Sequence, residues 1–353
     1  MIATVVKNAG SHFLLSELPE WRPFPAVLRG KVRLQGSRAT NPVAVGDRVE
    51  YTLPDTDQAA ASRADLSAAP AIITEILPRK NHLIRRSTNL SRESHVIAAN
   101  IDRAFIIVTL CFPELKMQFL DRILVMCGVY GVPVSIVLNK VDFWSDAAAP
   151  TDDSNAATPD ELTDFRDAMR EQAAAFHRIY EGAGYEVIDT SARTGNGVDH
   201  LRERVLESGV CLFSGESGVG KSSLIRAIDP ALDPKVGSIS DAHLQGRHTT
   251  SLYEMYPLRA GNPSDEARPS GRPGGFIIDS PGIRGFGLVH LEKEEIARYF
   301  PEMLKVSEGC RFVPCTHTHE PDCAVKAAVD EGNISAERYA SYLGMLEEEK
   351  KFR

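Results

Sequence analysis

The rhythm of hydrophobic and polar positions changes twice along these 353 residues. Over residues 1 to about 90, apolar positions come in short runs broken by Gly, Pro and Asn. VLRGKVRL alternates in part, and VGDRVEYTL and AIITEILP follow. This pattern predicts short β-strands joined by turns. The stretch from Pro54 to Pro70 is poor in bulky apolar side chains and reads as a loop inserted between strands.

From about residue 100, strands alternate with helices. AFIIVTL (104–110) and VPVSIVLNK (132–140) are continuous apolar runs, as expected of parallel strands covered on both faces. Between them Leu115, Phe119, Ile123 and Met126 fall on one helical stripe. Acidic, Ala-rich sequence follows Asp142, and a second helix is predicted around 159–182. YEVIDTSA, GVCLFSG and GGFIIDSPG supply further buried strands, and NPSDEARPSGRPGG (262–275) reads as a hairpin loop. The region is therefore predicted to be a doubly wound α/β sheet. After residue 290 the pattern is helix, cysteine cluster, helix. In the last helix Tyr339, Tyr342 and Leu346 form a stripe that can face the protein or RNA, with packing within the protein preferred.

With 43% apolar and 25% charged residues the composition is that of a soluble globular protein. No run approaches the ~18 apolar residues of a membrane span. No secretory signal is visible at the N-terminus; the order of domains suggests a cytoplasmic location, with an organelle protein whose transit peptide has been removed as the alternative. A net charge of −8 argues against bulk electrostatic binding to nucleic acid. Charge is uneven, however. Residues 79–92 hold Arg79, Lys80, Arg85, Arg86 and Arg92 and no acid, and Arg22, Arg29, Lys31, Arg33 and Arg38 lie upstream. Either cluster alone reads as solvated surface; together they point to an RNA-facing N-terminal barrel, for which an OB-fold is a fitting form.

The chemistry begins at Gly215-Glu216-Ser217-Gly218-Val219-Gly220-Lys221-Ser222, followed by Ser223. Its glycines let backbone N–H groups curl around phosphate oxygens, and the following helix points its positive end at the same anion. Lys221 is expected to reach the outer phosphates, and Ser222 to offer its hydroxyl to Mg²⁺. More than seventy residues earlier stands Asn139-Lys140-Val141-Asp142. A carboxylate at Asp142 accepts from guanine N1–H and the 2-amino group, a donor pair that adenine lacks. The Lys140 stem can cover the base plane, and a backbone N–H at Ser191 or Ala192 can meet guanine O6. Asp279 and Gly282, in DSPG, suit Mg²⁺ and the γ-phosphate. Between the two phosphate motifs lies Gly246-Arg247-His248-Thr249-Thr250. Thr250 is favoured over Thr249 to close the Mg²⁺ shell. The position after Asp279-Ser280-Pro281-Gly282, where many GTPases carry a water-orienting Gln, holds Ile283. His248 is the replacement candidate, because its ordinary pKa suits proton exchange near neutrality.

Cys111, Cys127 and Cys211 lie in apolar surroundings and read as core thiols. Cys310-x4-Cys315-x-His317-x5-Cys323 offers three thiolates and an imidazole, the ligand set of a closed structural zinc site. The spacing leaves His319 as a rival to His317.

The base motif preceding the phosphate loop resembles a circularly permuted GTPase. The chain is similar to the ribosome small-subunit-dependent GTPase A family (RsgA/YjeQ) over nearly its whole length. The likeness runs through RGKVRL, NPVAVGDRVEY, NKVD, TSARTGNGV, SGESGVGKSSL, GRHTTS, DSPGIRGFGL and the cysteine cluster. It implies an OB-fold domain (1–90), a permuted P-loop GTPase domain (91–290) and a helical zinc domain (291–353). It favours His317 as the fourth ligand and supports His248. It implies late maturation of the small ribosomal subunit, contact with its rRNA, and GTP hydrolysis to GDP stimulated by that subunit. A monomer is the default. The alternative is an RNA-binding module whose guanine-nucleotide site regulates without hydrolysing; a metal-delivery GTPase is a further rival, disfavoured by the full ligand set.

Overall fold

The computed structural model describes residues 1–28, 42–53, 70–86, 94–145, 159–232, 234, 253–260, 273–280 and 291–351. The chain divides into two compact units, Met1–Phe105 with Val198–Gly285, and Ile106–Gly197 with Phe286–Arg353.

The first unit opens with β1 (Ile2–Ala9), β2 (His12–Ser16), β3 (Phe24–Leu28), β4 (Arg48–Thr52) and β5 (Ala71–Ile76). They pair in the order β1-β2-β3-β5-β4, and β4 returns to β1, closing a five-stranded barrel. Alternate side chains point inward, so Ala3 and Val5, Phe13 and Leu15, Phe24 and Ala26, Val49 and Tyr51, and Ala71 and Ile73 fill one core. The closed order is consistent with an OB-fold. Only the first residues of the VLRGKVRL run, in β3, are described; 29–34 and the loop at 54–69 lie outside the described residues.

A hairpin of β6 (His82–Arg86) and β7 (Ser94–Ala99) follows. The basic cluster just before and within it is partly spent on internal pairing. Arg79 Nε lies 2.6 Å from Asp47 Oδ1 and its Nη2 2.7 Å from Oδ2, with a further bond of 2.9 Å to the Pro42 carbonyl. Lys80 pairs with Asp102. Two of this cluster's five charges, Arg79 and Lys80, are thus held by carboxylates of the same unit.

The second unit begins within β8 (Arg103–Val108) and continues with β9 (Val134–Asn139) and β10 (Glu186–Thr190), in the order β10-β9-β8, with β9 and β10 parallel. Helix α1 (Met117–Val129) joins β8 to β9, and α2 (Pro159–Gly182) precedes β10. The expected α1 stripe is corrected in two respects. Leu115 stands before the helix, and the buried face also takes in Leu120, Leu124 and Cys127. The face is broad because α1 is packed by C-terminal helices as well, which periodicity over one window does not reveal.

Returning to the first unit, α3 (Val198–Ser208) leads to β11 (Val210–Gly215), then α4 (Lys221–Ile228), β12 (Tyr253–Arg259) and β13 (Pro273–Asp279). β11 and β13 are parallel, β12 is antiparallel to β13, and β12 pairs with β1 of the barrel. The hairpin-loop expectation over 262–275 is corrected at its end. Residues 273–275 belong to β13, where the ladder pairs Gly275 with Leu258 and Pro273 with Arg259.

The C-terminal residues form α5 (Lys293–Ile296), α6 (Pro301–Ser307), α7 (Ala324–Asp330) and α8 (Ala336–Lys351). Ile296, Phe300, Met303, Val325, Tyr342, Met345 and Leu346 make a core that includes Val125 of α1. Tyr342 and Leu346 are buried and Tyr339 packs at the margin of the same core, as the α8 stripe suggested. Among the described residues, no helix is long and apolar enough to cross a membrane.

Candidate functional site

On the phosphate side, parallel β11 and β13 end in register, Phe213 opposite Asp279, so Gly215 and Asp279 emerge at the carboxyl edge where α/β sheets bind ligands. Gly218 and Gly220 adopt φ of 89° and 92°, a left-handed conformation that a side chain would strain. Val219 is buried between them and anchors the turn, while Ser217 and Gly218 stay exposed. Gly220 caps α4, which starts at Lys221 and places Ser222 and Ser223 in its first turn.

Lys221 Nζ donates to the Ser280 carbonyl at 2.7 Å and lies 2.8 Å from Asp279 Oδ1. That second contact is an ion pair without hydrogen-bond geometry. Asp279 Oδ1 is buried and has no hydrogen-bond partner among the described residues. Its charge is balanced by the Lys221 ammonium, and a carboxylate oxygen beside the Ser222 hydroxyl position at the start of α4 is the hard donor type that Mg²⁺ takes once Lys221 turns to phosphate. Ser280 is fixed by its bonds to the Phe213 carbonyl (3.0 Å) and the Ser214 hydroxyl (2.8 Å).

On the base side, β9 and β10 also end together, with Asn139 opposite Thr190. Thr190 Oγ1 donates to Asn139 Oδ1 at 3.2 Å. Lys140 takes a left-handed φ of 68° and starts a single 3₁₀ turn, Val141–Phe143, that carries Asp142. Asp142 is 4% exposed. Ser191 Oγ donates to Asp142 Oδ1 at 2.7 Å, and Arg193 stands 3.8 Å from Oδ2. The Ser191 N–H is committed to the Asn196 carbonyl at 2.9 Å. That N–H is thus engaged within the turn itself. The turn closes only because residue 197 is glycine: a Cβ there would sit 1.9 Å from the Asp189 carbonyl oxygen.

His248, Thr249, Thr250, Gly282 and Ile283 lie outside the described residues. Sequence reasoning missed Ser280 as the resting partner of Lys221, and Arg193 beside Asp142. The Arg193 position, two residues after Ser191 in the turn, was the one available signal.

At the C-terminus, Cys310, Cys315, His317 and Cys323 converge, with their four ligand atoms within 4.8 Å of one another. Sγ–Sγ separations are 3.9 Å for Cys310–Cys323 and for Cys315–Cys323, and His317 Nδ1 lies 3.4 Å from Cys323 and 3.6 Å from Cys310. Zinc–sulfur bonds of about 2.3 Å at tetrahedral angles give edges of about 3.8 Å, so the cluster could hold one zinc ion. Burial lowers the His317 pKa and so favours the neutral, metal-binding imidazole. His319 bonds the Thr318 hydroxyl at 2.9 Å and stays exposed, outside the cluster. Thr316 and Thr318 N–H groups bind Glu320 at 2.8 and 3.0 Å, and Tyr339 and Tyr342 hydroxyls hold the His317 and Thr316 carbonyls at 2.6 Å. These bonds shape the loop around its ligands.

A glycine-rich loop leading into α4, an Asn-Lys-x-Asp turn placed ahead of it in the chain, an N-terminal barrel and a Cys₃His cluster are the features expected of a circularly permuted GTPase. The family model described as RsgA GTPase matches residues 76–163 and 162–289. A small ribosomal subunit biogenesis GTPase RsgA of Bacteroides fragilis is 42% identical, covering 100% of this chain and 99% of the relative. One from Porphyromonas gingivalis is 39% identical over 100% and 98%. The crystal structure of YjeQ from Thermotoga maritima superposes with a TM-score of 0.67 at 29% identity, covering 98% of this chain and 97% of that one. YloQ, a circularly permuted GTPase, has a TM-score of 0.64 at 21% identity over 100% and 96%, a likeness of fold. The chain belongs to the RsgA GTPase family.

Proposed function

We propose that this chain hydrolyses GTP to GDP and phosphate while assisting late maturation of the small ribosomal subunit, and that the subunit stimulates the reaction. The observation that carries the reading is full-length similarity, 42% identical, to a relative named as a small ribosomal subunit biogenesis GTPase. Lys221 and Asp279, whose types suit phosphate and Mg²⁺, are both present and adjacent, as a hydrolysing site requires.

In this reading Asp142 accepts from guanine N1–H and the 2-amino group, Ala192 N–H meets O6, and Asn139 with Ser191 holds the turn rigid. Backbone N–H groups of Gly215 to Lys221 cradle the phosphates. Lys221 exchanges the Ser280 carbonyl and Asp279 for phosphate oxygens, so its charge is already aimed when nucleotide arrives. Ser222, Asp279 and Thr250 would hold Mg²⁺, which supplies neutralisation of charge developing on the phosphates. Gly282 N–H binds the γ-phosphate, and His248 orients the attacking water in place of the residue that Ile283 cannot supply. Zinc, one per chain, is structural, because Cys310, Cys315, His317 and Cys323 fill a tetrahedral shell and leave no position for substrate.

The barrel (1–90) faces rRNA, residues 91–290 form the P-loop GTPase domain, and 291–353 form the zinc domain of a cytoplasmic monomer. Co-sedimentation tests the partner. The chain loaded with a non-hydrolysable GTP analogue should pellet with small subunits, and the GDP form should be largely released. Equal pelleting with small and large subunits would contradict the proposal.

A further inference from the structure

Phe112 is a large apolar side chain left in solvent, 66% exposed, with a left-handed φ of 50°. Outside glycine that conformation is uncommon, and for a bulky residue it marks strain that surrounding contacts must hold. Burial cannot be the reason for holding it here. Instead, two contacts tie Phe112 to the base-reading turn of the same unit. Lys140 Nζ donates to the Phe112 carbonyl. The Phe112 ring packs against Phe143, the residue after Asp142, with centroids 5.7 Å apart and planes inclined by 43°. The preceding thiol, Cys111, lies within electrostatic reach of both Lys140 and Asp142. An exposed aromatic side chain is therefore clamped to the short turn that carries the buried Asp142 carboxylate.

We propose that Phe112 is a positioning and affinity-determining residue for the nucleotide, its ring forming the apolar wall on which the purine rests while Asp142 reads the base edge. The proposal builds on the reading of Asp142 as guanine acceptor. A purine presents a flat π-face that stacks on aromatic rings whatever its edge pattern. Phe112 thus contributes binding strength, and Asp142 contributes selectivity. The clamp from Lys140 to the Phe112 carbonyl makes the wall rigid before ligand arrives, which limits the ordering cost of binding.

The test is calorimetric binding of GDP, XDP and inorganic tripolyphosphate to the full chain and its variants. Phe112→Ala should weaken GDP about tenfold, the effect typical of losing one base–aromatic stack. Phe112→Tyr should restore it, and tripolyphosphate affinity should not change. In an Asp142→Asn background, which should prefer XDP, Phe112→Ala should weaken XDP by a similar factor. If Asp142→Asn switches preference but Phe112→Ala leaves GDP affinity intact, the wall is refuted and the base reader stands. If Asp142→Asn retains guanine preference, both fall together. Equal weakening of GDP and tripolyphosphate would also overturn the proposal, since a base wall does not touch phosphate.

Discussion

Arg338 of α8 donates to Asp121 of α1 across 2.6 Å, and the two are 1% and 0% exposed. Arg338 also reaches Glu302 of α6 at 2.7 Å, and the Tyr180 hydroxyl of α2 donates to the same Asp121 oxygen at 3.0 Å. The guanidinium stacks over Phe300, 4.7 Å from its centroid. One buried cation therefore joins α8, whose tyrosines brace the metal loop, to the helix between β8 and β9. Removing one partner of a buried pair strands the others, so Arg338→Ala should cost about 3–5 kcal/mol. Urea unfolding followed by tryptophan fluorescence measures it; a midpoint within error of the parent would show that the pair is not holding α8 in place.

The metal loop separates the two candidate histidines by experiment. His317→Ala should lower bound zinc below one per chain and lower the melting temperature, because a structural site contributes its binding free energy to folding. His319→Ala should leave zinc content and melting unchanged. Elemental analysis of the purified variants distinguishes them, and the reverse pattern would exchange their roles.

Asp142 should govern base choice. An amide in place of its carboxylate presents a donor where guanine also donates, and xanthine offers an acceptor there. Asp142→Asn should lose GTP by at least about a hundredfold, in line with the loss expected when buried partners go unpaired, and gain affinity for XTP. Competition binding with the two nucleotides reads the exchange directly.

Asp229, at the end of α4, receives the Arg259 guanidinium, with Nε at 2.9 Å, and the Ala231 N–H at 3.0 Å. Burial pushes its carboxyl up, but these hydrogen bonds outweigh that push and hold it below the usual carboxylate range. A depressed folded pKa contributes stability above the unfolded value, and that contribution is lost as pH falls below about 4. Arg259 is partly exposed, so the pair is worth of order 1 kcal/mol. Asp229→Asn should reduce stability at neutral pH and flatten the acid limb of a stability–pH curve below pH ~4.

Much of this was legible in sequence because it rests on local chemistry. Gly218, Gly220 and Lys221 must stand in order for a backbone to cradle phosphate, and four ligands within fourteen residues must converge for zinc. The continuous apolar runs of β8 and β9 likewise announced themselves. What escaped depends on distant partners. Nothing near Arg79 reveals that Asp47 will neutralise it, and the heptad around Ile123 does not show that α8 covers a second side of α1. Burial of Arg338 has the same cause, because a lone arginine in an acidic helix reads as surface until three helices are seen to enclose it.

Steady-state GTP turnover of the purified chain, alone and with small ribosomal subunits, with ATP and large subunits as controls, decides whether this is a subunit-stimulated GTPase. Intrinsic turnover should be slow and strongly stimulated by small subunits only, and His248→Ala should lose that stimulation while retaining GTP binding. Turnover indifferent to small subunits, or equally raised by large ones, would contradict that reading.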